Sequence, residues 1–113
     1  MESRELMQIA ERALEDKKAQ RVQTFHMEKK TILADYYVVC SGTSSTHIKA
    51  LADGVEEELK KTNTAVLRKE GYEAARWVLL DCGTVIVHIL NETDREYFKL
   101  ESLFERGYET ERR

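Results

Sequence analysis

The chain has 113 residues and a mass of 13.2 kDa, and 42% of its residues are hydrophobic. That is enough to build one core, and the chain is too short for a second domain. Its 18 basic and 21 acidic residues leave a formal net charge of −3, which disfavours generic binding to nucleic-acid phosphates.

Cysteine usage and the N-terminus bear on the cell compartment. Cys40 and Cys82 lie in or beside apolar runs, where small thiols pack well, so we expect no disulfide framework. The first residues include acids and no apolar signal region, and every apolar stretch is far shorter than the ~20 residues of a membrane span. A soluble protein of the reducing cytoplasm is therefore expected, without a membrane partner.

The first half of the chain predicts a helix, two strands and a second helix. An apolar stripe at helical spacing predicts a helix from Ser3, its N-cap, to about Lys18. Residues 21–27 and the β-branched and aromatic run 34–40 predict strands. After the loop of residues 41–45, a second apolar stripe predicts a helix to about Lys61. A short strand over 65–68 would complete a crossover with parallel ends.

The clearest hairpin signal lies between residues 77 and 90. Two apolar strands, 77–80 and 85–90, flank the turn Asp81-Cys82-Gly83-Thr84. If Cys82 and Gly83 form the turn, Trp77 pairs with His88. One strand face is then apolar beyond Arg76, whereas the opposite face mixes polar and apolar side chains: Trp77, Leu79, Asp81, Thr84, Ile86, His88 and Leu90.

A last helix completes the predicted order α-β-β-α-β-β-β-α. Thr93 and Glu96 have the spacing of a capping box, and Gly107 is a natural helix end. One crossover and one hairpin predict a single α/β domain (α+β mixed) over residues 1–113, with a mixed five-stranded sheet flanked by helices. We expect residues 107–113 to form a flexible tail.

Motifs for catalysis or metal binding are weak. The loop Ser41-Gly42-Thr43-Ser44-Ser45 lacks the phosphate-binding glycine patterns and is interpreted as a turn with helix caps. No predicted strand carries the Asp-x-Asp pair that would hold Mg²⁺ for nucleotidyl transfer. The histidines and cysteines are scattered singly, without zinc-ligand spacing, and no nucleophile elbow frames Ser41, Ser44 or Cys82. We expect no cofactor and no metal.

The mixed face of the hairpin admits two interpretations. One large aromatic among hydrogen-bonding groups, namely Trp77 with Asp81, Thr84 and His88, is typical of an interface hot spot. Alternatively, a helix covers this face and His88 is hydrogen-bonded internally. The acids of the last helix, Glu96, Glu101 and Glu105, either form a solvated face or meet cations of a partner.

Several segments in a fixed order resemble the ribosomal silencing factor family, also called Iojap-like. They are DYYVVCSGTS at 35–44, Glu70-Gly71, WVLLDxG at 77–83, Val87-His88 and REYxxLExL at 95–103. The resemblance spans about residues 3–106. It implies a nucleotidyltransferase-like topology without the metal-binding acids.

The resemblance also implies a function and a set of site residues. Family members bind the large ribosomal subunit through its ribosomal protein number fourteen, block joining of the subunits and repress translation when nutrients are limited. This implies a non-enzymatic protein without direct sequence-specific nucleic-acid contact. The residues that match the family's binding surface or its support are Trp77, Leu79, Asp81, His88, Arg95, Tyr97 and Glu101. A nucleotidyltransferase-like enzyme using Gly42-Thr43-Ser44, and a homodimer through the Trp77 face, remain as alternatives.

Overall fold

A computed structural model describes residues 1–105, which form one five-stranded sheet and four helices. In chain order they are α1 Ser3–Asp16, β1 Gln20–His26, β2 Tyr36–Gly42, α2 Ser45–Lys60, β3 Arg68–Glu70, β4 Trp77–Asp81, β5 Val85–Asn91, α3 Glu92–Phe98 and α4 Leu100–Glu105. Within this described part of the chain, no helix is long and apolar enough to cross a membrane.

The five strands lie in the order β1-β2-β5-β4-β3. β2 and β5 are parallel, and the other neighbouring pairs are antiparallel. These pairings also make β2 and β3 parallel to each other, as the crossover predicts, although β5 and β4 lie between them. The predicted mixed α/β domain with a five-stranded sheet is confirmed.

Helices pack on both faces of the sheet. On one face α1 and α2 bury apolar side chains against Val78, Leu80, Val85, Val87 and Ile89 of the hairpin. On the other face α4 inserts Leu100 and Phe104 over Tyr37, Val39 and Ile86. The predicted division of the hairpin into two faces is therefore confirmed.

The register within the hairpin differs from the prediction by two residues. Trp77 pairs with Leu90 and Leu79 pairs with His88, because the amide of Cys82 donates to the carbonyl of Val85 at 2.9 Å. The turn therefore has Gly83 and Thr84 at its centre, and Gly83 has the positive φ of +97° that its first central position favours. A shift of two residues leaves every side chain on its predicted face.

The predicted last helix is two helices. Lys99 has left-handed backbone angles, φ 51° and ψ 51°, and separates α3 from α4. The N-cap of α3 is Asn91, whose side chain accepts from the amide of Asp94 at 2.7 Å, so the capping box predicted from Thr93 is wrong. The proposed helix end at Gly107 and the tail at 107–113 lie outside the described residues.

Smaller differences concern caps and strand limits. Glu2, not Ser3, is the N-cap of α1, and the Ser3 hydroxyl instead donates to the carboxylate of Asp35. The short third strand runs over Arg68–Glu70 rather than 65–68, because its pairing with β4 begins at Arg68. The predicted capping role of the loop before α2 is confirmed, since Ser44 accepts from the amide of His47 at 3.0 Å.

Candidate functional site

An apolar groove lies where the α3–α4 layer ends and the outer strands of the sheet begin. It has a volume of about 470 Å³. Glu70 and Gly71 line it from the β3 side, and Trp77 and Leu79 line it from β4. Phe98, Leu100 and Leu103 complete the wall from the helices. We call this the apolar groove; it leaves part of the mixed sheet face accessible.

An aromatic ridge borders the apolar groove. The ring centroids of Trp77 and Phe98 are 5.3 Å apart, and those of Tyr97 and Phe98 are 5.0 Å apart at an angle of 88°. The residues Tyr97 and Phe98 are 77% and 45% exposed, whereas Trp77 is part-buried. We call Trp77, Tyr97 and Phe98 the aromatic ridge. Apolar rings held this far into solvent are typical of an interaction surface.

His88 supports Trp77 from below. It is only 1% exposed, and its Nδ1 lies 3.2 Å from the indole Nε1 of Trp77, which donates to it. The His88 ring also lies 5.2 Å from Tyr37 and 5.1 Å from Phe104, measured between centroids. The indole is therefore oriented by a buried acceptor, as the interpretation with an internally bonded histidine requires.

Arg95 is a buried cation that joins α3 to the sheet and to α4. Its side chain is fully buried, and each guanidinium nitrogen has a partner. Nε donates to Glu101 at 2.8 Å, one terminal nitrogen donates to Ser41 at 3.0 Å, and the other donates to Gln23 at 2.7 Å. This arrangement fixes the helix that carries Tyr97 and Phe98, and it leaves Arg95 no exposed surface for a partner.

Arg21 completes the ionic cluster from the edge strand β1. A register shift between Gln20 and Gln23 gives Arg21 a positive φ of 52°. Its guanidinium then lies 2.9 Å from Glu101 and 3.3 Å from both Glu92 and Glu96. Sequence reasoning missed Arg21 and Gln23, because no local pattern distinguishes a strand that contains a bulge.

Asp81 lies apart from Trp77 and His88. It ends β4 at the hairpin turn, where its Oδ1 accepts from the amide of Gly83 at 3.0 Å and its Oδ2 lies 3.8 Å from Arg68. It lies four positions along the strand from Trp77, or about 13 Å. The structure therefore joins Trp77 to His88 and assigns Asp81 a local role in the turn.

The other residues predicted from the family motif occupy different depths. Leu79 is 7% exposed and lines the apolar groove, and Tyr97 is exposed on the ridge. The Glu101 carboxylate is 27% exposed and is ion-paired with Arg95 and Arg21. Glu96 is likewise paired with Arg21. Two of the three acids predicted as a solvated or partner-binding face, Glu96 and Glu101, thus already have cationic partners within the chain.

The loop of residues 41–45 is occupied by contacts within the chain. The amide of Thr43 donates to Nδ1 of His47 at 2.9 Å, and Nε2 of His47 lies 2.8 Å from the carbonyl of Lys17. Ser44 caps α2, and the Ser41 hydroxyl donates to Glu92 at 2.8 Å. In the described residues, no three His, Cys, Asp or Glu side chains come together as metal ligands.

Both cysteines are free and buried. Burial raises the pKa of the Cys40 thiol from 9.0 to about 12, although nearby Arg95 opposes that effect. Burial, with the charges of Asp81 and Glu56, likewise raises the pKa of Cys82 to about 12. Thiols that remain protonated in this way are poor nucleophiles and poor metal ligands.

Comparisons with known proteins agree on one family. The family model described as "Ribosomal silencing factor during starvation" matches residues 1–113. The "Ribosomal silencing factor RsfS" of Halalkalibacterium halodurans is 38% identical over 104 residues, which cover 92% of this chain and 89% of that protein.

A solved structure and a more distant relative extend the comparison. The crystal structure of protein CV0518 from Chromobacterium violaceum superposes with a TM-score of 0.89 at 34% identity, covering 99% of this chain and 92% of that chain. A mouse protein named "Mitochondrial assembly of ribosomal large subunit protein 1" is 32% identical over 73 residues, covering 62% of this chain and 32% of that protein. By the match over its whole length, the chain belongs to the ribosomal silencing factor family.

Proposed function

We propose that this protein is a translation repressor that binds the large ribosomal subunit through its ribosomal protein number fourteen and blocks joining of the small subunit. Membership of the silencing factor family supports the ribosome as the partner, and the name of the mouse relative points to the large subunit. The aromatic ridge beside the apolar groove is the observation that carries the choice of surface.

Burial separates the site residues into two proposed roles. Trp77 and Tyr97 reach the surface and would contact the partner directly, with Leu79 forming the floor of the apolar groove. His88 and Arg95 are buried and would act as supports. Such anchors dominate binding when a surrounding rim excludes water.

The geometry favours direct contact with the partner less for the two acids of the predicted site, Asp81 and Glu101, than for Trp77 and Tyr97. Asp81 is part-exposed at the far end of β4, and Glu101 is held by two arginines. We propose that both contribute through the negative field they add near the surface, which would favour approach to a basic ribosomal protein. The two side chains are similarly exposed, at 25% for Asp81 and 27% for Glu101, and Asp81 has only one arginine near its carboxylate where Glu101 has two, so we propose Asp81 for a rim contact.

Inhibition by this route requires no chemical step. A folded domain seated where the small subunit docks would exclude it by its volume, in the cytoplasm where ribosomes assemble. The loop Gly42-Thr43-Ser44 favours this non-enzymatic function, since the amide of Thr43 and the hydroxyl of Ser44 are engaged by His47.

Co-sedimentation with separated ribosomal subunits tests the proposal. The wild-type chain should pellet with large subunits and not with small ones, and added protein should reduce the formation of whole ribosomes. Trp77→Ala should weaken binding by about 2 kcal/mol, roughly thirtyfold, if Trp77 is the anchor. Equal binding of Trp77→Ala and wild type would contradict the choice of surface.

Tyr72→Ala provides a matched aromatic control. Tyr72 packs beside α2 on the other side of the sheet, where its hydroxyl donates to Asp53 at 2.9 Å. Its removal should leave binding to large subunits unchanged. Light scattering of the free protein tests the alternative of a homodimer through the aromatic ridge. If such a dimer forms, Trp77→Ala should convert it into a monomer.

A further inference from the structure

A second groove borders the aromatic ridge and shares Trp77 and Phe98 with the apolar groove. It has a volume of about 540 Å³ and is lined by Arg76, Trp77, Thr93, Asp94, Tyr97 and Phe98. Three of these residues are aromatic, and one is a carboxylate whose side chain is only 13% exposed. We call it the aromatic–acidic groove.

The rings and the carboxylate have the chemistry of a cation site. The ring of Phe98 lies at 49° to Trp77 and at 88° to Tyr97, so the three rings present faces in different directions. Ring faces carry negative charge density and attract a cation, with tryptophan and tyrosine the strongest of these. Asp94 adds a full negative charge in the same groove.

The chain already supplies one cation to this groove. A terminal nitrogen of Arg76 lies 3.1 Å from Oδ1 of Asp94, while the Arg76 side chain is 72% exposed. Because the Arg76 end of this pair is exposed, that arginine can return to water when another cation takes its place beside the more buried Asp94. Asn91 holds Asp94 in place independently of Arg76. The backbone amide of Asp94 donates to the side-chain oxygen of Asn91, and the side-chain nitrogen of Asn91 lies 3.4 Å from Oδ2 of Asp94.

We propose that the aromatic–acidic groove binds an arginine or lysine side chain of the protein partner, which displaces Arg76 from Asp94. This rests on the proposed function and adds to it the chemistry of the partner. Charge complementarity supports the choice, since Asp94 lines the groove and the chain carries a formal net charge of −3, whereas Glu92 and Glu96 of the same helix are already paired with Arg21. A partner with a basic surface fits that field.

The two grooves together define the segment that would fit. Trp77 lines both grooves, and the apolar groove suits an apolar side chain whereas the aromatic–acidic groove suits a cationic one. The partner segment should therefore present an apolar residue and a basic residue that both contact the Trp77 indole.

Binding of the intact chain to purified large ribosomal subunits, measured at two salt concentrations, tests the cation site. Asp94→Asn keeps the shape of the side chain and removes its charge, and Tyr97→Leu keeps an apolar side chain and removes the ring. Each should weaken binding on the order of tenfold. Asp94→Asn should also reduce the salt dependence of binding, because one fewer ionic contact is made.

Arg76→Ala and Glu57→Gln are the discriminating controls. Arg76→Ala removes the competing cation and should leave binding unchanged or strengthen it by about threefold, whereas a purely structural role of the Arg76–Asp94 pair predicts the same loss as Asp94→Asn. Glu57 is an exposed acid of α2 on the other side of the sheet, and Glu57→Gln should change binding less than about twofold.

The outcomes separate this inference from the proposed function. If wild type fails to bind large subunits, the proposed function is wrong and this inference with it. If wild type binds and Tyr97→Leu binds equally well, the cation site is wrong and so is the direct contact proposed for Tyr97, whereas ribosome binding anchored by Trp77 stands. Tyr97 is 77% exposed, so this variant should fold even if Asp94→Asn does not. Loss of binding by Arg76→Ala to the level of Asp94→Asn would also overturn the inference.

Discussion

A single buried guanidinium, that of Arg95, connects four elements of the fold. Its donors reach Gln23 on β1, Ser41 on β2 and Glu101 on α4, and its own backbone lies in α3. A planar group with fixed donors suits three acceptors in different directions, which the single ammonium of a lysine does not. The position of the aromatic ridge thus depends on a residue whose side chain is fully buried.

Removal of this guanidinium should be strongly destabilising. Arg95→Met leaves Glu101 part-buried with one cation fewer and leaves Gln23 and Ser41 without their donor, so we expect a loss of about 3–5 kcal/mol in the free energy of unfolding. Urea denaturation followed by circular dichroism measures it. Arg76→Ala, which removes an exposed arginine, should change stability by less than about 1 kcal/mol. Similar midpoints for both variants would contradict the role given to Arg95.

Two glycines with positive φ offer a matched comparison at the same scale. Gly71 has φ +76°, and an added Cβ would meet the carbonyl oxygen of Trp77 at 2.2 Å; Gly83 has φ +97°, and its added Cβ would meet only Leu67 at 3.9 Å. Gly83→Ala should therefore cost about 1–2 kcal/mol, from backbone strain alone. Gly71→Ala should cost clearly more and shift the backbone of Trp77. Thermal denaturation of both variants measures the two losses of stability. Equal losses would argue against the close approach of Gly71 to the Trp77 carbonyl.

At the scale of elements, α3 is short and depends on its cap. Asn91→Ala should lower the free energy of unfolding by about 1 kcal/mol, because the amide of Asp94 loses its acceptor. Thr93→Ala is the matched control, since Thr93 lies inside the helix and is exposed. If Thr93→Ala proved the more destabilising of the two in urea denaturation, the cap would be misassigned.

The same helix illustrates what local patterns can and cannot predict. Apolar spacing predicted α1, α2 and the hairpin strands, because burial of one face leaves a period in the sequence. The break at Lys99 left no such signal, since a lysine in left-handed conformation replaces the glycine that usually marks a helix end. The two-residue register error arose because Cys82-Gly83 and Gly83-Thr84 are both plausible turns until the glycine's φ is known.

At the scale of the whole molecule, only the tertiary structure shows which of the predicted site residues are buried and which are exposed. The family motif predicted Trp77, His88, Arg95 and Tyr97 as a group, but their depths follow from how α4 covers the sheet. Phe98, which joins the two grooves, was not predicted because it lies between two motif residues and carries no periodic signal. Burial in the folded chain therefore divides these residues into proposed supports and proposed contacts, which sequence order could not do.

Core burial of two thiols also predicts how stability depends on pH. Below pH 9.0 both thiols are protonated in the folded and unfolded states; above it the unfolded chain loses protons that the folded chain retains until about pH 12. The free energy of unfolding should thus fall as pH rises, by up to about 1.4 kcal/mol per pH unit for each thiol.

Denaturation between pH 8 and 10.5 measures this slope, and Cys82→Ala should reduce it. Iodoacetamide at pH 8 gives an independent check: native protein should remain unmodified at both cysteines, and urea-unfolded protein should be modified at both. Rapid modification of either thiol in the native state would contradict the burial of that residue.

The position of Trp77 has a practical consequence for optical spectroscopy. It is the only tryptophan of the chain, it lines both grooves, and its indole nitrogen is hydrogen-bonded to His88. Intrinsic fluorescence excited in the indole band therefore originates at the proposed docking surface alone. Seating a partner there should shift the emission to shorter wavelength as water leaves the ring, so association kinetics can be followed without any attached dye.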